Sequence, residues 1–478
     1  MATRTARPFA SSSLLQSQRP SARSAVSAST NLQPAPRLRL ATARTGDHPL
    51  IHELLVSIFH GPSLPEFHAQ LDEPGYEPID RLIVKEGEEI AAHLRLARQT
   101  IQAGCATLPA ARFMDLATAT EYRSRGLATA LLAAGERAAM ERGIVVGLTR
   151  TRAPALFAHL GWSVCGSHVF STVSPQSVLA ELSATNMAAE ADDRTLLRPT
   201  TPEPIIVRPL RRIDLRAVVR LYDAHTAGKF GWPLRSEAYW EWLLARGACD
   251  RIYVASTSAD TADFAHMLAS IVGYVCVKQS RIVELITVPG RQDVARHLAE
   301  RICADAREQD GWTIRHDAPA DHPLHELFRS AGGRLNISQE VSGEVFMAKL
   351  LDPLAALRQL SANFVERAKA AGISKATELG IELRSGGGRK TSGASGVVER
   401  FKIELSAKSA KIETGGPSRH SLVLAYSDLA PLVLSSTGAE AMIENRRLKC
   451  TTRKARQLAG QLFPAGSWWR PPLDDLLA

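Results

Sequence analysis

Three absences limit what this chain can be. No Cys-x-x-Cys pair occurs, and the six cysteines, at 105, 165, 249, 276, 303 and 450, are scattered. Scattered cysteines, several of them in apolar runs, are the usage of buried, reduced thiols in a cytoplasmic protein. They argue against a disulfide framework and a cysteine-ligated zinc site. No apolar run reaches the roughly 18 residues that a membrane-spanning helix needs; the longest, Met267 to Val277, fits a buried strand. No acidic residue precedes Asp47, and the arginines before it (Arg4, Arg7, Arg19, Arg23, Arg37, Arg39 and Arg44) carry seven of the nine net positive charges. The basic balance therefore describes a tail and gives no ground for a nucleic-acid partner.

The tail, residues 1–37, is rich in Ser, Ala, Arg and Pro. It shares Arg and Ser enrichment with transit peptides, but a disordered segment explains the same composition and is the reading adopted. The whole chain has 478 residues, 45% hydrophobic and 22% charged. That allows about three domains with cores of ordinary size.

Strand and helix patterns alternate from residue 38 to 174. LIHELLVSIF reads as a helix with Asp47 as its cap, RLIVKEGEEIAAHLRLA as a hairpin and ARFMDLATA as a strand. In LATALLAAGERAAMERG, Leu127, Leu131, Ala134 and Ala138 share one helical face. IVVGLT is again a strand and APALFAHLG a short helix. Residues 175–204 begin as a helix and turn into a polar, Pro-rich linker. Residues 205–350 repeat the order: ASIVGYVCV echoes EEIAAHLRL, ELITV echoes MDLATA, and HELFRSAGG echoes PALFAHLGW. We read this as a degenerate internal duplication. Residues 351–375 predict one long amphipathic helix. Strands (GIELRS, RFKIELSA, KIET) and two helices follow, up to residue 478.

The stretch carrying chemistry is Arg123-Ser124-Arg125-Gly126-Leu127-Ala128, between a strand and a Leu/Ala helix. A helix N-terminus offers free N–H groups and a positive dipole end. Gly126 lets a phosphate approach the backbone, Ala128 does not block it, and two arginines add charge. A pyrophosphate fits there.

Other patterns carry less. GGGRKTS fails as a P-loop, because its lysine follows Arg389 and no helix follows. His48/His52 and His322/His325 have metal-like spacing but no carboxylate partners, so no metal is expected. Trp232, Tyr239, Trp240 and Trp242 have the spacing of a packed core rather than an amine cage.

Strand, Arg-x-x-Gly-x-Ala loop, helix, strand and short helix together resemble the GNAT superfamily of N-acetyltransferases. With the degenerate second unit and a C-terminal region like LVLAYSDLAPLVLSSTGAEAMI, the layout resembles the Eis-like (enhanced intracellular survival) acetyltransferases. The resemblance implies an α/β fold: two tandem GNAT-like mixed-sheet domains (38–174 and 205–350) and a sterol-carrier-like α+β domain (351–478). It implies acetyl-CoA as co-substrate. Leu116, Ala117 and Thr118 would pair with the pantetheine arm. Arg123, Ser124, Arg125, Gly126, Leu127, Ala128 and Thr129 would hold the pyrophosphate, and Arg152 and Ala153 would lie near the thioester. It implies a homo-oligomer and an amine acceptor: a polyamine, an aminoglycoside-like molecule or a protein lysine. In the family a tyrosine protonates the leaving thiolate and the terminal carboxylate is the base. The matching positions here are Phe157, which has no proton to give, and Ala478, with Asp115 or Glu121 as substitutes for the base. Phe157 also keeps open a different reading: a protein that binds acetyl-CoA or a lipid without turning it over.

Overall fold

A computed structural model describes residues 38–193, 204–257, 270–373, 375–385 and 396–475. The readings of residues 1–37, of most of the Gly/Ser loop and of Ala478 as base lie outside the described residues.

Three sheets organise the rest. In the first, Arg39–Thr42, Arg81–Glu86, Glu89–Ala103 and Ala106–Thr118 pair antiparallel in succession. Val146–Thr151 then joins Ala106–Thr118 in parallel. A parallel step needs a crossover, supplied by the helix Leu127–Glu141, which buries Leu131, Leu132, Ala134, Gly135 and Ala139. A Cβ on Gly135 would lie 2.7 Å from Leu94 Cδ2, so glycine sets how closely helix and sheet pack. The preceding helix His48–Phe59 does start at Asp47, but that carboxylate does not cap it; it accepts from Arg44 N–H at 2.8 Å and pairs with Lys85 at 2.6 Å.

The second sheet repeats the scheme. Ile206–Pro209, Arg251–Ser256, Ile271–Lys278 and Arg281–Thr287 run antiparallel, and Ile314–Asp317 joins the last in parallel after the helix Gln292–Glu308. The echo in the sequence is thus an echo in topology.

The two sheets exchange strands. His168–Val173 pairs with Ile314–Asp317 and Arg334–Ser338 in the second sheet. Glu344–Leu350 pairs with Val146–Thr151 and Ser163–Val164 in the first. Boundaries at 174 and 350 therefore group each of these strands with the wrong sheet. Periodicity declares a strand and its buried face, but not which edge it joins.

The segment read as one helix is two, Pro353–Gln359 and Ser361–Ala370, the first capped by Asp352 accepting from Ala355 N–H at 2.9 Å. In the second, Asn363 clasps the hairpin turn of the first sheet: Nδ2 donates to Ala103 O at 2.7 Å and Oδ1 accepts from Cys105 N–H at 2.8 Å. The third sheet has the order Ala410–Thr414, Val397–Leu405, Thr377–Arg384, Ser421–Ala425, Leu448–Cys450. Its core is continuous with the first sheet, joining Leu357, Phe364 and Phe401 to Ile101, Ala110 and Val146. Trp232, Trp240 and Trp242 are buried in the core of the second sheet. Among the described residues no helix is long and apolar enough to cross a membrane.

Candidate active site

The site grows from an irregularity in the strand Ala106–Thr118. Its pairing with Glu89–Ala103 slips between His93 and Arg95, and Asp115 adopts φ +54°. A left-handed conformation costs a non-glycine residue on the order of 1–3 kcal/mol and must be held by its surroundings. His93 holds it: Nδ1–H donates to the Asp115 carbonyl at 2.9 Å, and Nε2 accepts from Arg81 Nη1 at 3.2 Å. Burial, reinforced by the Arg81 charge, pushes the His93 pKa well below the ordinary value. The ring is therefore neutral, and these two partners fix its tautomer.

On the strand's other side the parallel ladder with Val146–Thr151 ends at Arg112 opposite Leu148. The last tie is Thr149 Oγ1–H donating to Phe113 O at 2.9 Å. Beyond it the strands part, and two cavities open at the gap. One, about 470 Å³, is lined by Phe113, Leu116, Ala128, Arg152, Ala153 and Phe157. The other, about 210 Å³, is lined by Arg112, Leu148, Phe346, Trp468, Arg470 and Asp475. Met114, Asp115, Thr149, Arg150 and Glu344 line both.

The first cavity faces the helix start. Ser124 (φ +61°) and Gly126 (φ +78°) turn the chain into Leu127–Glu141. Gly126 is the N-cap, and no side chain caps the helix. The first turn closes with Ala130 N–H on Gly126 O at 3.0 Å, so the N–H groups of Leu127, Ala128 and Thr129 have no helical acceptor. A Cβ at Gly126 would meet nothing within 4 Å. Arg123 and Arg125 are exposed beside the loop; Arg125 lies over the Tyr122 ring at 5.0 Å. Uncapped N–H groups, open backbone and two solvent-facing guanidiniums suit a pyrophosphate.

Of the residues expected to contact the cofactor, the fold brings Leu116, Ala128, Arg152 and Ala153 into one cavity, together with Phe157. Ser124, Arg125, Gly126 and Thr129 form the exposed loop and helix start. Leu127 turns its side chain into the core. Ala117, also buried, pairs with His93, and Thr118 pairs with Ala92. Neither lines either of these two cavities; Met114 and Asp115 do instead. Phe157 is 3% exposed and packs edge-on against Trp162 at 5.4 Å.

Sequence reasoning missed the second cavity's wall. There Arg112 Nη2 pairs with Glu73 at 2.6 Å and Nη1 reaches Asp475 at 3.4 Å, while Arg470 grips Asp475 at 2.7 and 2.8 Å. Burial pushes the Asp475 pKa up, but the Arg470 and Arg112 charges outweigh it and hold the carboxyl well below its usual range. Burial alone would lower Arg112, yet Glu73, Tyr239 and Asp475 keep it firmly charged. Arg150 pairs with Glu344 at 2.6 Å. One signal was available: His93, Arg95 and Arg112 are polar within apolar strand runs, and all three are buried. Among the described residues no group of three or more His, Cys, Asp or Glu side chains is arranged to hold a metal ion.

Residues 39–165 match the family model of the acetyltransferase (GNAT) domain. No curated protein matches the chain. Among solved structures, a GCN5-related N-acetyltransferase from Anabaena variabilis superposes with a TM-score of 0.66 at 15% identity, covering 91% of this chain and 99% of that one. A GCN5-related N-acetyltransferase from Kribbella flavida gives 0.66 at 16%, covering 91% and 97%. Eis1 from Mycobacterium abscessus gives 0.60 at 14%, covering 91% and 99%. The chain thus carries a GNAT acetyltransferase domain at residues 39–165, within a fold similar to that of Eis1.

Proposed function

We propose that the protein transfers the acetyl group of acetyl-CoA to a primary amine by direct attack. The observation that carries this reading is Asp115, a carboxylate on a held bulge, lining both cavities where the two strands part. The larger cavity and the uncapped helix start would take the cofactor, and the smaller one the amine.

In this reading the amine nitrogen attacks the thioester carbonyl and the C–S bond breaks. The carbonyl oxygen's developing charge would be met by backbone N–H groups at the Asp115–Leu116 bulge. Asp115 takes the proton the nitrogen loses. Its Oδ2 accepts no hydrogen bond, and Arg81 Nη1 stands 3.9 Å off. Coenzyme A departs as a thiolate, since Phe157 cannot protonate it; a thiol pKa of about 8.5 makes that tolerable.

Phe157 also supports a second reading, in which acetyl-CoA is bound and not turned over. Release of free thiol from acetyl-CoA, with a panel of amines, separates the two. Amine-dependent release that Gly126→Glu abolishes supports the enzyme. Binding without release, abolished by the same substitution, supports the sensor. If nothing binds, the loop is only a turn.

A further inference from the structure

The smaller cavity has a pattern of unmet bonding that specifies what should enter it. Four buried polar atoms on its lining residues have no hydrogen-bond partner: Asp115 Oδ2, Arg112 Nε, Arg150 Nε and Arg470 Nη1; Arg150 Nε is ion-paired with Glu344 at 2.6 Å, which leaves three. Arg112 and Arg470 are 4% and 7% exposed, so water reaches them poorly. A buried polar atom left unpaired costs about 1–3 kcal/mol. A ligand that supplies one cationic donor and one anionic acceptor would satisfy all three.

The charges of the lining agree. Arg112, Arg150 and Arg470 are balanced by Asp115, Glu344 and Asp475. Burial disfavours the Arg470 charge, but Asp475 more than restores it, so both unpaired N–H donors belong to firmly charged guanidiniums. A polycation would bring its several charges to three guanidiniums in a cavity with no net negative charge. A zwitterion brings none in excess. The remaining lining is apolar, including Met114, Leu148, Phe346 and Trp468. A volume near 210 Å³ is below the roughly 300–1,000 Å³ of sites for drug-sized molecules.

We propose that the acceptor is a small amino carboxylate with an apolar body, of the size and kind of an apolar amino acid. Its amine faces Asp115, and its carboxylate takes the free N–H groups of Arg470 and Arg112. This rests on the acetyltransferase reading above and narrows its acceptor to one class. Polyamines and aminoglycoside-like molecules fall outside it, because they lack the anionic group and carry too much positive charge. A lysine within a protein falls outside it as well, because its carboxylate is tied into the chain.

The test measures thiol release at saturating acetyl-CoA with three acceptors: phenylalanine, phenethylamine (the same body without the carboxylate) and spermidine. The expected result is a kcat/KM for phenylalanine at least tenfold above both others. Arg470→Gln should raise the KM for phenylalanine tenfold or more, and by clearly more than it raises that for phenethylamine. The wild-type ranking does not depend on that variant folding. Equal or better use of phenethylamine or spermidine overturns this inference and leaves the acetyltransferase reading standing. Absence of thiol release with every amine, while acetyl-CoA still binds, overturns both.

Discussion

Arg235 and Asp474 form an ion pair of 2.7 Å with both side chains sealed from water. Arg235 also holds Glu284 through two bonds of 2.8 and 2.7 Å, so one guanidinium ties the C-terminal segment to the second sheet. Its charge lies 4.6 Å from the Trp240 ring centre. Arg235→Met would leave two buried carboxylates facing each other. Breaking a buried pair this way costs about 3–5 kcal/mol. A lower urea midpoint should report it, with faster amide exchange at Trp468 to Asp475.

Buried neutral histidines make stability depend on pH. His93 and His316 are fully buried, and both have pKa values well below the ordinary 6.5: burial is the main cause, added to by Arg81 for His93 and by His322 and His325 for His316. The unfolded chain takes up these protons near pH 6.5 and the folded chain does not. Stability is therefore intact above pH 6.5 and falls as pH drops below it, by up to ~1.4 kcal/mol per pH unit for each group. Melting temperatures from pH 7.5 to 5 should decline, and His93→Gln should flatten that slope.

Gly126→Glu places a carboxylate where the pyrophosphate would lie. The added Cβ meets open space, but φ +78° disfavours any side chain, so a stability loss of about 1 kcal/mol is expected. Acetyl-CoA affinity should fall at least tenfold in calorimetry, with the circular dichroism spectrum unchanged.

Asp115→Asn keeps the shape of the bulge residue and removes its basicity. Loss of a general base typically costs about 10²–10⁴ in rate. The kcat should drop within that range while acetyl-CoA affinity stays within twofold. Raising the pH should recover part of the lost rate, because more of the amine is then already neutral.

Phe157→Tyr supplies a hydroxyl at the wall of the larger cavity. A phenol near the departing sulfur offers the proton that phenylalanine lacks. Turnover should rise by at least tenfold, toward the roughly 10²–10⁴ that general acid help usually supplies. A pre-steady-state burst in the wild type, with no change in the variant, would instead place product release as the slow step.

The motif strand, its loop and the crossover helix were legible because each is local. Gly126 ends a turn and begins a helix within a few residues, and Leu131 and Leu132 mark the buried face. Leu116, Ala128, Ala153 and Phe157, all close in the chain to that loop or to the next short helix, fall in one cavity. The wall of the smaller cavity was not legible, because its members come together from far along the chain: Arg112 from one strand, Glu344 from another, Asp475 from the last turn. Nothing in the run of letters around Arg112 says that Glu73 and Asp475 will neutralise it. The single-helix reading of 351–375 failed because periodicity runs through Leu360, while Asn363 is set by its bonds to a distant hairpin.

The strand exchange bears on how the molecule is born. The edge of Val146–Thr151 that takes Glu344–Leu350 stays open until some 200 further residues have been made. At the ribosome's roughly 5–20 residues per second, that delay is on the order of 10–40 s. During it the nascent domain presents an unpaired strand edge, and Glu344 has yet to arrive beside Arg150. The candidate site is thus one of the last parts to be finished, and a chain stopped short of residue 350 would emerge with its first sheet ajar.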